Sequence, residues 1–584
     1  LRRLASTILA TIFVSVLASC GPAGERSTAG VEEPTPEAKG STGDEIAFTD
    51  VTEEAGIAFV HDNGASERRY LPETMGSGVA FFDADGDGAP DLYFANARSI
   101  AEPDRPGSPG ALYLNRSDAG GLRFEDVTRE AGLDTVFYGL GTAVGDVEND
   151  GDLDLFVTGL GGDRLFRNLG GGPGEVRFED ASAELGLAGD GVEEGGFGSS
   201  AAFVDVDRDG FLDLYVGRYV TWSRESDVRC KPDGEHPTYC TPEVYDGASN
   251  RLYRNLGGVG FEDVTEAAGL LAPGGKTLGL VPLDADGDGW PDLAVANDTS
   301  RNALYLNLGS EGRLAFRDAA VELGLAFGLS GAPRGAMGID AGDLDGDGRD
   351  EIVIGNFAQE MAAVYRPLEQ GLYRDDAAQL GIGLPTLMSL AFGTLVADLD
   401  SGGELDAIFA NGHIEPEVAR FQPLQSWAQP LQVFRNLGSG SGFEEVVPPA
   451  GSPLATPWVG RGLASADADG DGDLDLVLTQ NGAPARLLRN DAEPRSFLRI
   501  RFLGRKSNRT GYGVRVTAVA GERTIVRTLV SGRSYLSASE PIMTLGLGGL
   551  EALDRLEVRW PSGREQVIEN PPLGRLLVVE EPGS

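Results

Sequence analysis

The stretch FFDADGDGAPDLYFAN, residues 81–96, sets Asp83, Asp85, Asp87 and Asp91 at positions 1, 3, 5 and 9 of one loop, with Gly88 at position 6. Carboxylates at that spacing suit a hard cation. Ca²⁺ takes six to eight oxygens, and a chain delivers them only by turning sharply around the ion. Glycine at position 6 permits the positive φ such a turn needs. Position 7 then offers a backbone carbonyl, and position 9 returns one more carboxylate. An EF-hand would close on a bidentate glutamate at position 12; here that residue is Phe94, inside an alternating strand run. The pattern is that of a calcium loop joining β-strands.

Six further copies follow. They carry Asp146, Glu148, Asp150 and Asp154; Asp205, Asp207, Asp209 and Asp213; and Asp284, Asp286, Asp288 and Asp292. Then come Asp343, Asp345, Asp347 and Glu351; Asp398, Asp400 and Asp406; and Asp467, Asp469, Asp471 and Asp475. Position 6 is glycine in every copy: Gly88, Gly151, Gly210, Gly289, Gly348, Gly403 and Gly472. The sixth copy has Gly402 at position 5, one ligand fewer, so about six Ca²⁺ sites are expected, with the Asp398 loop the weakest.

These loops need strands to hold them. Each copy runs into an alternating segment such as DLFVTG or DLVLTQ, then a third strand such as RLFRN or ALYLN, then a piece such as FEDVTREAGL. Asn–Gly-rich breaks between the last two read as hairpins, with the asparagines as turn formers. Successive loops start 55 to 79 residues apart, room for a four-stranded blade each time and too long for stacked calcium nonapeptides. Seven units predict an all-β chain built as a seven-bladed β-propeller over 45–492. The last unit lacks an FEDVT piece, while an orphan FTDVTEEAGI stands at 48–57, before the first loop. That orphan strand is expected to complete the seventh blade and close the ring. Beyond it, FLRIRFLG, GVRVTAVA, RTIVRTLV, LDRLEVRW and RLLVVEE predict a small β-sandwich-like domain over 495–581. Trp560 is expected to pack into it, with sugar stacking as the alternative.

The formal charge of −43 argues against a nucleic-acid partner, which needs a basic face. The N-terminus has Arg2 and Arg3, a short apolar run and the sequence Leu-Ala-Ser-Cys ending at Cys20, which resembles a bacterial lipobox. Residues 1–20 are therefore expected to be a lipoprotein signal, Cys20 the lipidated residue and 21–44 a flexible tether. The chain is expected in the bacterial cell envelope or at the cell surface, touching membrane only through this anchor. Cys230 and Cys240, closing a short Pro- and Gly-containing loop in an exported chain, are expected to form a disulfide.

Asp-rich loops preceded by GSGVAFFD and GFGSSAAFVD resemble FG-GAP/VCBS repeats, known from integrin α-subunit propellers and bacterial surface proteins. Residues 511–566, with SG…YLS, GLG and V.WPSG features at 531–537, 546–548 and 558–563, resemble the ASPIC/UnbV domain. Together they are similar to bacterial members of the cartilage acidic protein family. The integrin likeness implies calcium loops on one face and partner-binding loops on the other.

The expected function is a calcium-stabilised, non-enzymatic scaffold binding a protein or glycan, since no nucleophile–base constellation stands out. Two insertions are candidate interaction sites: 218–250, with Tyr219, Trp222 and Tyr239, and 411–433, with His413, Phe421 and Trp427. Simple anchoring by these aromatics is the other reading. A carbohydrate-active hydrolase or lyase using the central pocket, with a carboxylate pair or His413, is the rival function.

Overall fold

The computed structural model describes residues 46–118, 120–187, 196–309, 314–369, 371–492 and 495–583. The signal, Cys20 and tether expectations fall at 1–44, outside the described residues. The described chain is all-β, with three α-helices of four residues each and three short 3-10 turns.

Seven four-stranded antiparallel sheets follow one script. In the second, Gly139–Gly145 leads through the Asp146 loop to Asp154–Gly159, then Arg164–Asn168 and Phe178–Asp180. The first two strands are buried throughout, which is why their sequences are near-continuous small and apolar runs. Each loop is a tight connection, because its position 9 acid pairs directly with the residue before position 1, as in Gly145 with Asp154 and Ala397 with Asp406. The first strand of each sheet packs on the first strand of the next, and Gly460–Ala466 packs on Val79–Phe82, so the order closes on itself. The fold is propeller-like. Phe48–Asp50 pairs with Arg486–Asn490, giving the seventh sheet its fourth strand from the other end of the chain. The orphan segment also does its siblings' local work. Thr52 Oγ1 accepts the Leu487 N–H at 2.8 Å, as Thr128 Oγ1 accepts that of Leu112 at 2.9 Å.

The third-strand asparagines do more than turn the chain. The Asn168 side chain accepts the Gly170 N–H, as a turn former should. Its Nδ2 donates to Leu153 O in its own loop and to Ala84 O in the loop of the preceding sheet, at 3.2 and 2.8 Å. Asn255, Asn307, Asn436 and Asn490 reach back in the same way to Val147, Val206, Leu344 and Leu399. Asn115 spans the seam to Ala468 O at 2.8 Å. Only the fifth sheet lacks this asparagine, having Pro367 in its place. There the Tyr373 hydroxyl takes over, reaching Ala285 O at 3.3 Å. Every sheet is thus latched to its predecessor.

The C-terminal strands form a three-stranded sheet (Ser496–Leu503, Met543–Gly548, Leu576–Glu580) and a four-stranded one (Arg515–Ala520, Arg523–Thr528, Arg555–Arg559, Glu565–Glu569). Their apolar faces share one core, in which Leu498 and Ile500 meet Val516 and Val558, and this core runs on into Phe156 and Phe203 of the second and third sheets. The described residues form a single compact unit. Segment 531–540 leaves the C-terminal sheets and enters the centre of the ring, where it hydrogen-bonds the first strands of six sheets. Ala538 exchanges bonds with Val79 and Phe81, Leu536 O accepts from Thr142, and Leu536 N–H donates to Ser200. Ser534 bonds Ile339 and Thr394, and Ser539 accepts from Ser465. Trp560 is 1 % exposed, with its indole N–H on Gln566, so packing and not sugar stacking is its role.

The latches make a graded test. Asn168→Ala takes a donor from the buried Ala84 carbonyl and the half-buried Leu153 carbonyl and should cost about 2–3 kcal/mol in denaturant unfolding. Tyr373→Phe removes one longer bond and should cost about 1 kcal/mol or less.

Candidate metal centres

One hydrogen-bond scheme recurs through the loops. Position 1 draws the chain round by accepting the position 6 N–H, as Asp205 Oδ2 does from Gly210 at 3.1 Å. Position 3 accepts from position 5, and position 5 from position 7, as in Asp207 with Asp209 and Asp209 with Phe211. Position 9 spends both oxygens on backbone: Asp213 accepts from Val206 N–H and from Asn255 N–H, at 3.0 and 2.8 Å. Glu351 is the exception. Its Oε2 accepts from Leu344 at 2.7 Å, but Pro367 has no N–H to offer, and Oε1 is buried without a partner.

The acids that this scheme gathers fit a cation. Oxygens of Asp83, Asp85 and Asp91 lie within 4.8 Å of one another, as do those of Asp205, Asp207 and Asp213, and of Asp284, Asp286 and Asp292. The fifth loop gathers Asp343, Asp345 and Asp347, and the sixth Asp398, Asp400 and Asp406. Position 1 keeps a buried, unpartnered Oδ1 in four loops, at Asp83, Asp205, Asp284 and Asp398. Buried acceptors facing one another without a donor are costly unless a positive charge joins them. Burial, then the neighbouring acids, push Asp205 up to about 7. Burial likewise raises Asp398 to about 7, Asp292 to about 8 and Glu351 to about 9. The sixth loop gathers the same three positions as loops 1, 3 and 4, so its missing position 5 acid is one that the tight clusters there do not include. In the seventh loop Asp473, at position 7, adds an acid outside the expected set. Its Oδ1 is buried without a partner, and burial with its neighbours raises it to about 9.

Comparison with known families now bears on these loops. FG-GAP-like repeats match residues 83–157, 146–216 and 284–354, and ASPIC and UnbV matches 504–584. The chain carries FG-GAP-like repeats and an ASPIC and UnbV domain. It is homologous to cartilage acidic protein 1, with 25% identity to the mouse protein over 533 residues, covering 86% of this chain and 64% of that protein. The human protein gives 24% identity, covering 89% and 65%. The chain thus spans just under two thirds of the length of these relatives. Integrin alpha-V of Gallus gallus is 27% identical over 258 residues, 40% of this chain and 22% of that protein. Among solved structures, that of an Agrocybe aegerita lectin aligns with a TM-score of 0.39 at 15% identity, covering 71% of this chain and 95% of that one.

The C-terminal strands lie over the acidic loops and touch all seven. Arg501 pairs with Asp83 at 2.9 Å and Arg499 with Asp467 at 3.1 Å. Arg509 N–H donates to Asn149, Arg515 reaches Gly348 O, and Arg523 and Arg527 reach Gly402 O and Gly403 O. Four of the position 6 glycines, Gly210, Gly289, Gly403 and Gly472, serve this approach as well as the turn. At Gly210 (φ +96°) a Cβ would stand 2.4 Å from Lys506 O, and at Gly472 (φ +104°) 2.1 Å from the Phe497 ring. Residues 495–584 hold 14 Lys and Arg against 9 acids in a chain that is otherwise acidic, a bias matched to the face they cover.

The insertion aromatics divide. Tyr219 and Trp222 are buried in an apolar cluster with Tyr70 and Tyr245, which corrects their expected place at an interaction surface. The Tyr239 hydroxyl is spent on Glu73 at 3.0 Å, and His413 is buried. Cys230 and Cys240 are disulfide-bonded. In the second insertion Phe421 is half-buried, while Leu424 and Trp427 are exposed.

Asp205→Asn supplies a test whose sign depends on metal. It keeps an acceptor for Gly210 and removes a charge from a crowded, buried cluster. In chelator at pH 8 it should stabilise by about 1–3 kcal/mol; in millimolar calcium it should lower the melting temperature. Thermal melting of both proteins in both buffers is the measurement.

Proposed function

We propose that the seven sheets are the blades of a seven-bladed propeller whose FG-GAP loops hold Ca²⁺, and that the protein is an exported, non-enzymatic scaffold for a protein or glycan partner. The observation that carries this reading is the repeated three-acid cluster with a buried, donorless oxygen. The residues that would hold the ion are the acids at positions 1, 3, 5 and 9 of the loops, position 5 being absent from loop 6, with Asp473 adding an oxygen in loop 7 and Glu351 bringing its free Oε1 in loop 5. Bound Ca²⁺ would neutralise carboxylates that burial otherwise forces toward protonation. At about 1 mM calcium and a dissociation constant near 0.1 mM, each site would contribute about 1.4 kcal/mol. Six such sites would supply roughly 8 kcal/mol, as much as the whole margin of an ordinary domain.

Homology to cartilage acidic protein 1 and to integrin repeats supports the adhesion-type scaffold. The rival carbohydrate-active enzyme needs an open axial pocket, and the axis is filled by segment 531–540 from the loop side and by Leu71, Met75 and Arg461 from the other. The partner surface we favour is the 411–433 insertion, where Leu424 is 85% and Trp427 38% exposed beside buried anchors. Export is supported by the disulfide, which persists in oxidising compartments. Among the described residues no helix is long and apolar enough to cross a membrane, and a Cys20 lipid anchor is the attachment we propose.

Melting the chelated and calcium-loaded protein tests the metal reading; a rise of at least 10 °C with calcium is expected, and no change would overturn it. Screening polysaccharides and envelope proteins tests the scaffold. Saturable binding that falls at least tenfold in Leu424→Asp/Trp427→Ala, without turnover, is expected, and turnover of any glycan would favour the enzyme.

A further inference from the structure

At the end of the axis away from the loops stands Arg461, the second residue of the seventh sheet's first strand. It is fully buried. Its stem crosses Gly76 (φ +75°), where a Cβ would stand 2.2 Å from Arg461 Cγ. Nε donates to Thr74 O at 2.9 Å, Nη1 donates to the Gly412 and Gly460 carbonyls at 3.0 and 2.7 Å, and the guanidinium lies 4.0 Å from the Phe392 ring centre. Nη2 has no partner, and among the described residues no carboxylate pairs with this arginine. Tyr535 is the ionisable group beside it, but burial holds its hydroxyl protonated, donating to Met75 O at 3.1 Å. A buried cation without a counter-ion is among the least favourable arrangements a protein can hold.

Two imidazoles lie near enough to feel the Arg461 charge. His61 Nδ1 accepts the Gly482 N–H at 3.1 Å, and His413 Nδ1 accepts the Glu415 N–H at 3.0 Å. Acceptance at Nδ1 fixes the neutral tautomer, so each Nε2 carries the proton. Both Nε2 atoms are buried without an acceptor. Burial takes His61 down to about 3, against the pull of Asp62 and with help from Arg461, and takes His413 down to about 4, again with help from Arg461, so both rings stay neutral. Arg461 holds the carbonyl of Gly412, next to His413. On the other side Asn481, next to Gly482, donates to Glu73 O, beside the Thr74 carbonyl that Arg461 also holds. Three donors thus remain unused, carrying one net positive charge. A metal ion would meet protonated nitrogens and a guanidinium, and is refused.

We propose that Arg461, His61 and His413 form a buried site for one small monovalent anion of halide or formate size. The anion accepts from Nη2 and the two Nε2 groups and balances the arginine. It also ties together three distant pieces of chain: the segment before the first sheet, the insertion after the sixth sheet's second strand and the first strand of the seventh. Those pieces meet where the cycle of sheets is closed, so the anion acts as a clip on the seam.

The test is thermal melting of the full chain in sodium gluconate titrated with chloride, bromide or formate at constant ionic strength, run in calcium and again in chelator. A saturable rise in melting temperature is expected with each small anion in both series, whatever becomes of the calcium reading. His413→Phe and His61→Phe, which keep the charge and remove one donor each, should weaken the apparent affinity at least tenfold, and Arg461→Met should abolish the response. Where Arg461→Met fails to fold, crystals of the natural sequence in bromide decide, with an anomalous peak expected among the three nitrogens. Equal melting in gluconate and bromide, an anion response unchanged in the histidine variants, or no bromide peak at this position would each overturn the proposal.

Discussion

The structure turns on one electrostatic constraint: seven clusters of carboxylates are desolvated at the same end of a ring of sheets. Charges of one sign at this spacing, in surroundings of low dielectric, repel strongly unless each oxygen is matched. The fold answers in layers. Backbone N–H groups take the first share, both oxygens of position 9 and one of position 1. Arginines of the C-terminal strands take the next, and an oxygen of position 1 remains over in four loops. That remainder is what a cation would match in the reading proposed above, since among the described residues these oxygens have no donor.

The same loops are also the joints of the ring. The carbonyl at position 2 of each loop receives the side-chain donor of the next sheet, so a loop that opened would lose its own turn and its neighbour's latch together. The fifth sheet shows how tightly the two are coupled. Pro367 removes a latch and a backbone donor at one stroke. The lost latch is replaced by the Tyr373 hydroxyl, whereas the lost donor is left open at Glu351 Oε1. A longer acid at position 9 with a free oxygen is the arrangement that a cation, and no backbone group, would complete.

Much of this was legible in the sequence, and what was not is instructive. Strands, loops and the closing role of Phe48–Asp50 follow from local periodicity and from a repeat with one piece displaced. The asparagines read as turn formers because a turn is a local event; their second bond goes to a residue 84 positions away, which no local pattern reveals. The invariant glycines have a sufficient explanation in positive φ, and so conceal that some also clear a path for Lys506 and Phe497. Tyr219 and Trp222 drew attention because they break the repeat, but an insertion must bury its own anchors before it can present anything. His413 stood out only as one of three histidines. Its companion Arg461 carries no motif, and a lone arginine in an apolar strand is noticed only when its missing counter-ion is seen.

Arginine and cation need not compete for these acids, since they address different atoms. Asp83 gives Oδ2 to Gly88 N–H and Arg501 while Oδ1 stays buried and free. In the seventh loop Asp467 Oδ2 faces Arg499 and Gly472, its Oδ1 accepts from Gly470, and the free oxygen moves to Asp473. A cation on the inner oxygens would therefore hold each carboxylate ionised and oriented for the arginine outside it, strengthening the pair. Cation binding and the seating of the C-terminal strands are then linked, each favouring the other by the same free energy. Segment 531–540 carries that linkage into the centre of the ring, where it bonds six first strands. The cap, the plug and the loops behave on this argument as one cooperative unit, which is why the C-terminal residues share a core with the second and third sheets and do not fold against them as a separate appendage.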